Sequence, residues 1–204
     1  MKICFVAWSD FGIGGVPRVL TCLMDALSRK HDVSLYSLKN LPQSGIQGID
    51  REQIHIYCRE MNLYEKIRRS AADVLVCKTP LFSSALGCRL YAAARYTSGF
   101  KKALTNHLNK HQYDVVIFGS GFEDSLLLAL TKNKLLPSMR ILTWSHASYD
   151  NYFTNMGPFF SRYMKEAIKA YYHRFDEIIV LSDGDEKEFR EKHHLPARRI
   201  YNPN

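Results

Sequence analysis

Ile3-Cys4-Phe5-Val6-Ala7-Trp8, followed at once by Ser9-Asp10-Phe11-Gly12-Ile13-Gly14-Gly15, is the stretch on which the fold turns. An unbroken apolar run of that length reads as a strand buried on both faces. After the glycines, Val16, Val19, Leu20, Leu23, Met24 and Leu27 recur at helical spacing, with Pro17 tolerated in the first turn. Asp32–Leu38 then predicts a second strand. Strand, glycine loop, helix and strand in succession predict parallel pairing through a right-handed crossover.

The same alternation continues along the chain. Gly45, Gly48 and Pro42 mark residues 39–52 as a loop. Strands are predicted at Gln53–Tyr57, Asp114–Phe118, Arg140–Trp144, Glu177–Leu181 and Arg199–Tyr201. Helices are predicted at 61–72, 80–97, 99–111, Ser125–Thr131, Pro158–Arg174 and Gly184–Lys192. This pattern predicts an α/β fold: a Rossmann-like, doubly wound, mostly parallel sheet with helices on both faces. The chain is expected to form a single domain over residues 1–204, which ends directly after its last strand, as at a domain boundary.

Composition narrows the class. The 204 residues are 46% apolar, 12% aromatic and 24% charged, which suits one globular core and argues against disorder. No apolar run approaches the ~18–20 residues that span a bilayer. Ile3–Trp8 is too short for a signal-peptide core and no small-residue cleavage site follows, so a cytoplasmic location is expected. Cys4, Cys22, Cys58, Cys77 and Cys88 are scattered and without CxxC spacing, which suits reduced, mostly buried thiols.

The net charge is +8, and between Val74 and Tyr113 there is no acidic residue. Lys78, Arg89, Arg95, Lys101, Lys102 and Lys110 fall in that stretch. Two readings stand. A helix pair could turn an apolar face to the core and a basic face to solvent. Alternatively Arg89, Arg95, Lys101 and Lys102 could form a patch that docks on an anionic membrane or a lipid-linked acceptor. Nucleic acid ranks below both, because no motif for it is present.

In an open α/β sheet, ligands sit beyond the carboxyl ends of the strands. Gly12-Ile13-Gly14-Gly15 lies there. Glycines let backbone approach a phosphate, and a helix N-terminus offers free N–H groups. The alternative is a tight turn that needs positive φ. The dinucleotide fingerprint is not met: Pro17 occupies the third glycine position and the second strand ends Tyr36-Ser37-Leu38-Lys39 without a carboxylate. No Gly-Lys-Ser/Thr follows, so the loop is not a P-loop. Asp183-Gly184-Asp185 has the form of a metal-binding DxD, yet reads better as the cap and acidic first turn of the next helix. No metal is expected.

Four segments in order carry a resemblance. They are Gly14-Gly15-Val16-Pro17-Arg18-Val19 with Leu23-Met24-Asp25-Ala26-Leu27, Trp144-Ser145-His146, Asp176-Glu177-Ile178-Ile179-Val180-Leu181-Ser182, and Ile200-Tyr201-Asn202-Pro203-Asn204. Together they resemble the N-terminal domain of the retaining family-four glycosyltransferases of the GT-B fold, and among these the enzymes of lipopolysaccharide and capsule assembly, including outer-core galactosyltransferases. The resemblance covers both ends of the chain well and residues 39–112 poorly.

The resemblance implies an acceptor-binding domain of a retaining hexosyltransferase that uses a UDP-sugar. The acceptor would be a growing cell-surface glycan, lipid-linked or free. It implies a donor-sugar contact for His146 and donor-binding roles for Gly14, Gly15, Arg18, Ser182 and Asn202. The family's Glu-x7-Glu donor signature belongs to a C-terminal domain expected to be absent, with residues 202–204 beginning the interdomain linker. Glu52 and Glu60 have that spacing by chance, on a predicted strand of the acceptor half. The fragment alone is expected to be inactive. The other reading of the chain is a free-standing, non-enzymatic Rossmann-like module that binds an anionic ligand or a membrane.

Overall fold

The computed structural model describes residues 1–8, 11, 14–41 and 53–202. Gly12, Ile13, Glu52, Pro203 and Asn204, to which the sequence reading assigned parts, lie outside the described residues.

Seven strands form one parallel sheet in the order β3-β2-β1-β4-β5-β6-β7. They are β1 (Lys2–Ala7), β2 (Asp32–Ser37), β3 (Ile54–Cys58), β4 (Val115–Phe118), β5 (Arg140–Trp144), β6 (Glu177–Val180) and β7 (Ala197–Arg199). The helices are α1 (Gly15–Ser28), α2 (Leu63–Lys78), α3 (Ala85–Arg95), α4 (Ser98–His111), α5 (Leu126–Thr131), α6 (Pro158–Tyr171) and α7 (Asp183–His193). The Rossmann-like doubly wound expectation is met.

The two faces of the sheet carry unequal layers. Cys4 and Val6 of β1 and Val116 and Phe118 of β4 join a large core with residues of α2 to α7. Ile3, Phe5 and Ala7 point the other way, to Leu20 and Met24 of α1. Right-handed crossovers explain the asymmetry. The chain moves one way across the sheet from β1 to β3, which puts α1 on one face, and the opposite way from β3 to β7, which puts α2 to α7 on the other.

Local chemistry sets the helix ends. Asn62 and Glu65 form a reciprocal capping box at α2. Ser84, Thr97 and Ser182 accept N–H groups at the starts of α3, α4 and α7. The helix expected over 80–97 is therefore two pieces, a 3-10 turn at Pro80–Phe82 and then α3, because Ser84 opens a new helix. Gly87 lets α3 seat on that turn: a Cβ there would lie 2.2 Å from the Leu81 carbonyl oxygen.

Other boundaries also moved. The helix expected at 61–72 runs on to Lys78, and a 3-10 turn at Phe122–Ser125 precedes α5. The last strand begins at Ala197, opposite Ile178, rather than at Arg199. A wide turn at Asn151–Asn155, unforeseen in the sequence, leads into α6. Cys4 and Cys88 are buried, whereas Cys22, Cys58 and Cys77 are exposed, so the thiols are not mostly buried as expected.

Candidate active site

The strand order reverses direction between β1 and β4, and ligand sites of open sheets form at the carboxyl ends flanking such a switch. There the chain is stitched together by backbone and small side chains. The Trp8 N–H, just beyond β1, donates to the Ser120 hydroxyl beyond β4. Gly119 brings β4 against α1, since a Cβ would lie 2.4 Å from a Leu20 methyl.

Gly14 and Gly15 are exposed at the start of α1. Among the described residues no side chain caps this helix, and its first turn holds no acidic residue. Neither glycine is required by backbone conformation. Gly14 has φ 167°, an extended value open to any residue, and a Cβ on Gly15 would have nothing within 4 Å. The tight-turn reading, with its positive φ, therefore fails at these two positions. Among the described residues, bare glycine leaves room there for another molecule beside the start of a helix, where backbone N–H groups lack intrahelical acceptors. Arg18, one turn on, is also exposed.

His146 follows β5. The Ser145 N–H bonds to the Ile179 carbonyl at 2.8 Å and its hydroxyl to the Ala147 carbonyl at 2.9 Å, which fixes the turn that presents the histidine. The imidazole stacks on Trp144 with centroids 5.4 Å apart and planes 12° from parallel. Trp144 in turn packs with Val19 of α1, so His146 stands on the α1 side of the sheet. Neither ring nitrogen, though buried, meets hydrogen-bond geometry with a described residue, and the Gly119 backbone is the nearest approach to a partner. Burial pushes the His146 pKa down to about 4, and the Gly119 backbone opposes this only in part. The ring is thus neutral near pH 7, offering one donor and one acceptor and little basicity.

Glu123, just beyond β4, was missed in the sequence. Its Oε2 is buried without a hydrogen-bond partner among the described residues. Burial, reinforced by the charge of Asp124, raises its pKa. Its position two residues past Gly121, at the carboxyl end of an apolar strand, was the available signal.

Ser182 and Asp185 close on each other. The Ser182 hydroxyl donates to the Asp185 carboxylate at 2.7 Å and accepts the Asp185 N–H at 3.1 Å. Asp185 also accepts the Tyr149 N–H at 2.8 Å, and Asp183 pairs with Arg199. The two aspartates thus work as cap and helix-start charges. Asn202 is exposed beyond β7.

Of the four cations in the patch reading of the basic stretch, one is withdrawn from the surface. Arg95 is only 4% exposed, and this removes it from any surface. Its guanidinium lies 2.6 Å from Asp124 and 3.3 Å from Asp73, and donates to the Tyr91 hydroxyl at 2.7 Å. Burial works against the charge, but Tyr96, Asp124, Tyr91 and Asp73 together outweigh it. Arg69 joins the cluster at 2.6 Å from Asp124 and stacks on Trp8. Arg89 and Lys102 are exposed on different helices, α3 and α4, and Lys101 is half-buried.

Residues 13–203 match the model of Glycosyltransferase Family 4. The chain belongs to glycosyltransferase family 4.

Solved structures agree on the fold. This family-4 chain is similar to lipopolysaccharide outer core galactosyltransferase WaaB in its apo form, at 14% identity and TM-score 0.57, over 100% of this chain and 46% of that one. It is similar to Anabaena Alr3699/HepE in complex with UDP-glucose at 11% identity and TM-score 0.59, over 100% of this chain and 44% of that one. These likenesses show a GT-B half-domain fold. The family-4 chain spans less than half the length of either structure. No curated protein matches it significantly.

Proposed function

We propose that this chain is the acceptor-side half of a retaining hexosyltransferase that moves a hexose from a UDP-sugar to a growing cell-surface glycan such as lipopolysaccharide or capsule. The observation that carries the reading is His146, a neutral histidine whose two buried nitrogens make no well-formed hydrogen bond among the described residues, on the α1 side of the sheet beside the switch point. A buried polar group without a partner costs stability, so a ligand that supplies the partner explains its retention. Family membership and the nucleotide-sugar complex of a fold neighbour favour this over a non-enzymatic module.

In this reading the N–H groups at Gly14 and Gly15, with Arg18, receive the departing diphosphate. His146 hydrogen-bonds a donor-sugar hydroxyl and fixes the ring. The acceptor oxygen bonds to the anomeric carbon on the face from which the diphosphate leaves, and its proton passes to a leaving phosphate oxygen. Configuration is retained without a protein nucleophile, and the rate comes from positioning and charge stabilisation. Ser182 and Asn202 border the donor on the β6–β7 side. No metal takes part. A second domain would hold most of the nucleotide, so residues 1–204 alone should be inactive and bind UDP-sugars weakly. Micromolar UDP-sugar binding to residues 1–204 in a calorimetric titration would count against this division of labour.

We further propose a cytoplasmic protein that docks at the inner face of the membrane, where a lipid-linked acceptor resides. Among the described residues no helix is long and apolar enough to cross a membrane, so contact would be peripheral. Support comes from α2, which exposes Leu63, Ile67, Val74 and, in part, Leu75, and from its packed neighbour α3, which exposes Leu86 and Leu90. Apolar groups of this size left in water mark an interaction surface. Arg89 on α3 is exposed as well. Flotation should occur with anionic vesicles and not with neutral ones, and should weaken with salt. Equal flotation with both lipids would sink the electrostatic part, and none with either would sink the docking surface.

A further inference from the structure

On the far side of β1 from His146, a cavity of about 300 Å³ opens beyond the carboxyl ends of β1, β2 and β3, lined by Trp8, Lys39, Asn40, Glu60, Met61 and Lys66. That volume is at the lower end of the ~300–1,000 Å³ usual for small-molecule sites. Its polar groups are already arranged. The Asn40 amide donates to one Glu60 oxygen, and the Lys66 ammonium pairs with the other. The Glu60 charge is thereby neutralised and its plane fixed, while hydrogen-bonding capacity remains at Lys66, at Asn40 and at the spare lone pairs of the carboxylate. The aromatic wall is also held. Trp8 is half-buried, with the Arg69 guanidinium 3.9 Å from its ring centroid.

We propose that this cavity is a subsite for a pyranose ring of the acceptor glycan. The inference rests on the transferase reading above and adds the place and chemistry of acceptor recognition. A pyranose has an apolar C–H face that suits an indole and a rim of hydroxyls that suits a prearranged amide, carboxylate and ammonium. Groups fixed before binding cost less to order than loose ones. The strand order sets β1 between β2 and β4, so a sugar here lies across the switch point from the donor side. Acceptor and donor then approach the same edge from opposite sides of one strand.

The test uses the whole protein with methyl α- and β-glycosides of glucose, galactose and mannose, read by saturation-transfer NMR, and UDP binding read by calorimetry. At least one glycoside should bind. Trp8→Ala, Asn40→Ala and Lys66→Met should each weaken it about tenfold, Trp8→Phe should retain it, and UDP affinity should stay unchanged. Asn40 and Lys66 are surface positions, so their variants stay informative if Trp8→Ala unfolds. The subsite is overturned if no glycoside binds, if binding survives the Asn40 and Lys66 changes, or if UDP affinity falls together with glycoside affinity. Failure of the unaltered protein to bind UDP would instead strike the donor reading, because the glycoside result is scored independently of it.

Discussion

Two buried polar clusters sit within this half-domain, and they are built on opposite principles. Beneath α2 and α3, Arg95 meets Asp124 at 2.6 Å and Asp73 at 3.3 Å, with Tyr91 and Arg69 closing the group. Beyond β5, His146 is stacked on Trp144 and its two nitrogens make no well-formed hydrogen bond among the described residues. Both clusters include side chains with shifted titration. The first is answered from within the chain and welds helices together. The second is left open at the sheet edge where ligands bind. Burial of an ionisable side chain does not separate the two clusters; the ion pairs that join elements in the first have no counterpart at His146 among the described residues.

The largest expected effect lies in the answered cluster. Asp124→Ala removes the 2.6 Å partner of both Arg69 and Arg95 and leaves the two guanidinium groups to share Asp73, and Arg95→Ala leaves Asp124 and Asp73 with Arg69 alone. Each should cost about 3–5 kcal/mol in urea unfolding. A loss below ~1 kcal/mol would mean that water already reaches the cluster.

His146→Ala should show the reverse profile. Turnover should fall on the order of 100-fold through loss of positioning, while the melting temperature near pH 7 changes little, because no well-formed hydrogen bond among the described residues is broken. A large drop in melting temperature with normal turnover would place His146 among the structural residues and dissolve the contrast.

Gly15→Val sharpens the same contrast at the backbone. A Cβ there meets no protein atom within 4 Å, so stability should change within ~0.5 kcal/mol. Turnover should still fall if a diphosphate approaches that surface. Unaltered kinetics in a folded variant would leave the glycines without a catalytic part.

The smallest effect is a pH dependence. Burial lowers the pKa of His146 to about 4, and burial followed by the charges of His111 and Lys110 lowers that of His107 to about 4. In the unfolded chain a histidine titrates near ~6.5. Between these values the unfolded chain binds protons that the folded chain refuses, so these groups make stability fall as pH drops from ~6.5 to about 4. In a melting series across that window, the His107→Gln, His146→Gln double variant should lose less on acidification than the parent. Parallel curves would show that neither histidine is held neutral.

The division between what was legible and what was not follows sequence distance. Ile3–Ala7 and Val115–Phe118 announced buried strands because each is apolar without a break, and the spacing of Val16, Val19, Leu20, Leu23 and Leu27 announced α1. These are local signals of period and propensity. His146 was visible as a candidate because a strand end can be read locally. Arg95 was misread as a surface cation because its answering carboxylate, Asp124, is 29 residues away. The glycine pair was found, but not the reason for it, since φ and open space belong to the folded backbone.

The sequence by itself determined the alternation of strands and helices, and with it the parallel sheet and the loops at its strand ends, because these rest on short-range pattern and chain handedness. Only the tertiary structure decided which charges are spent inside the molecule and which groups face outward. Partnering brings together residues from α2, α3 and the β4 end, and no local pattern records that meeting.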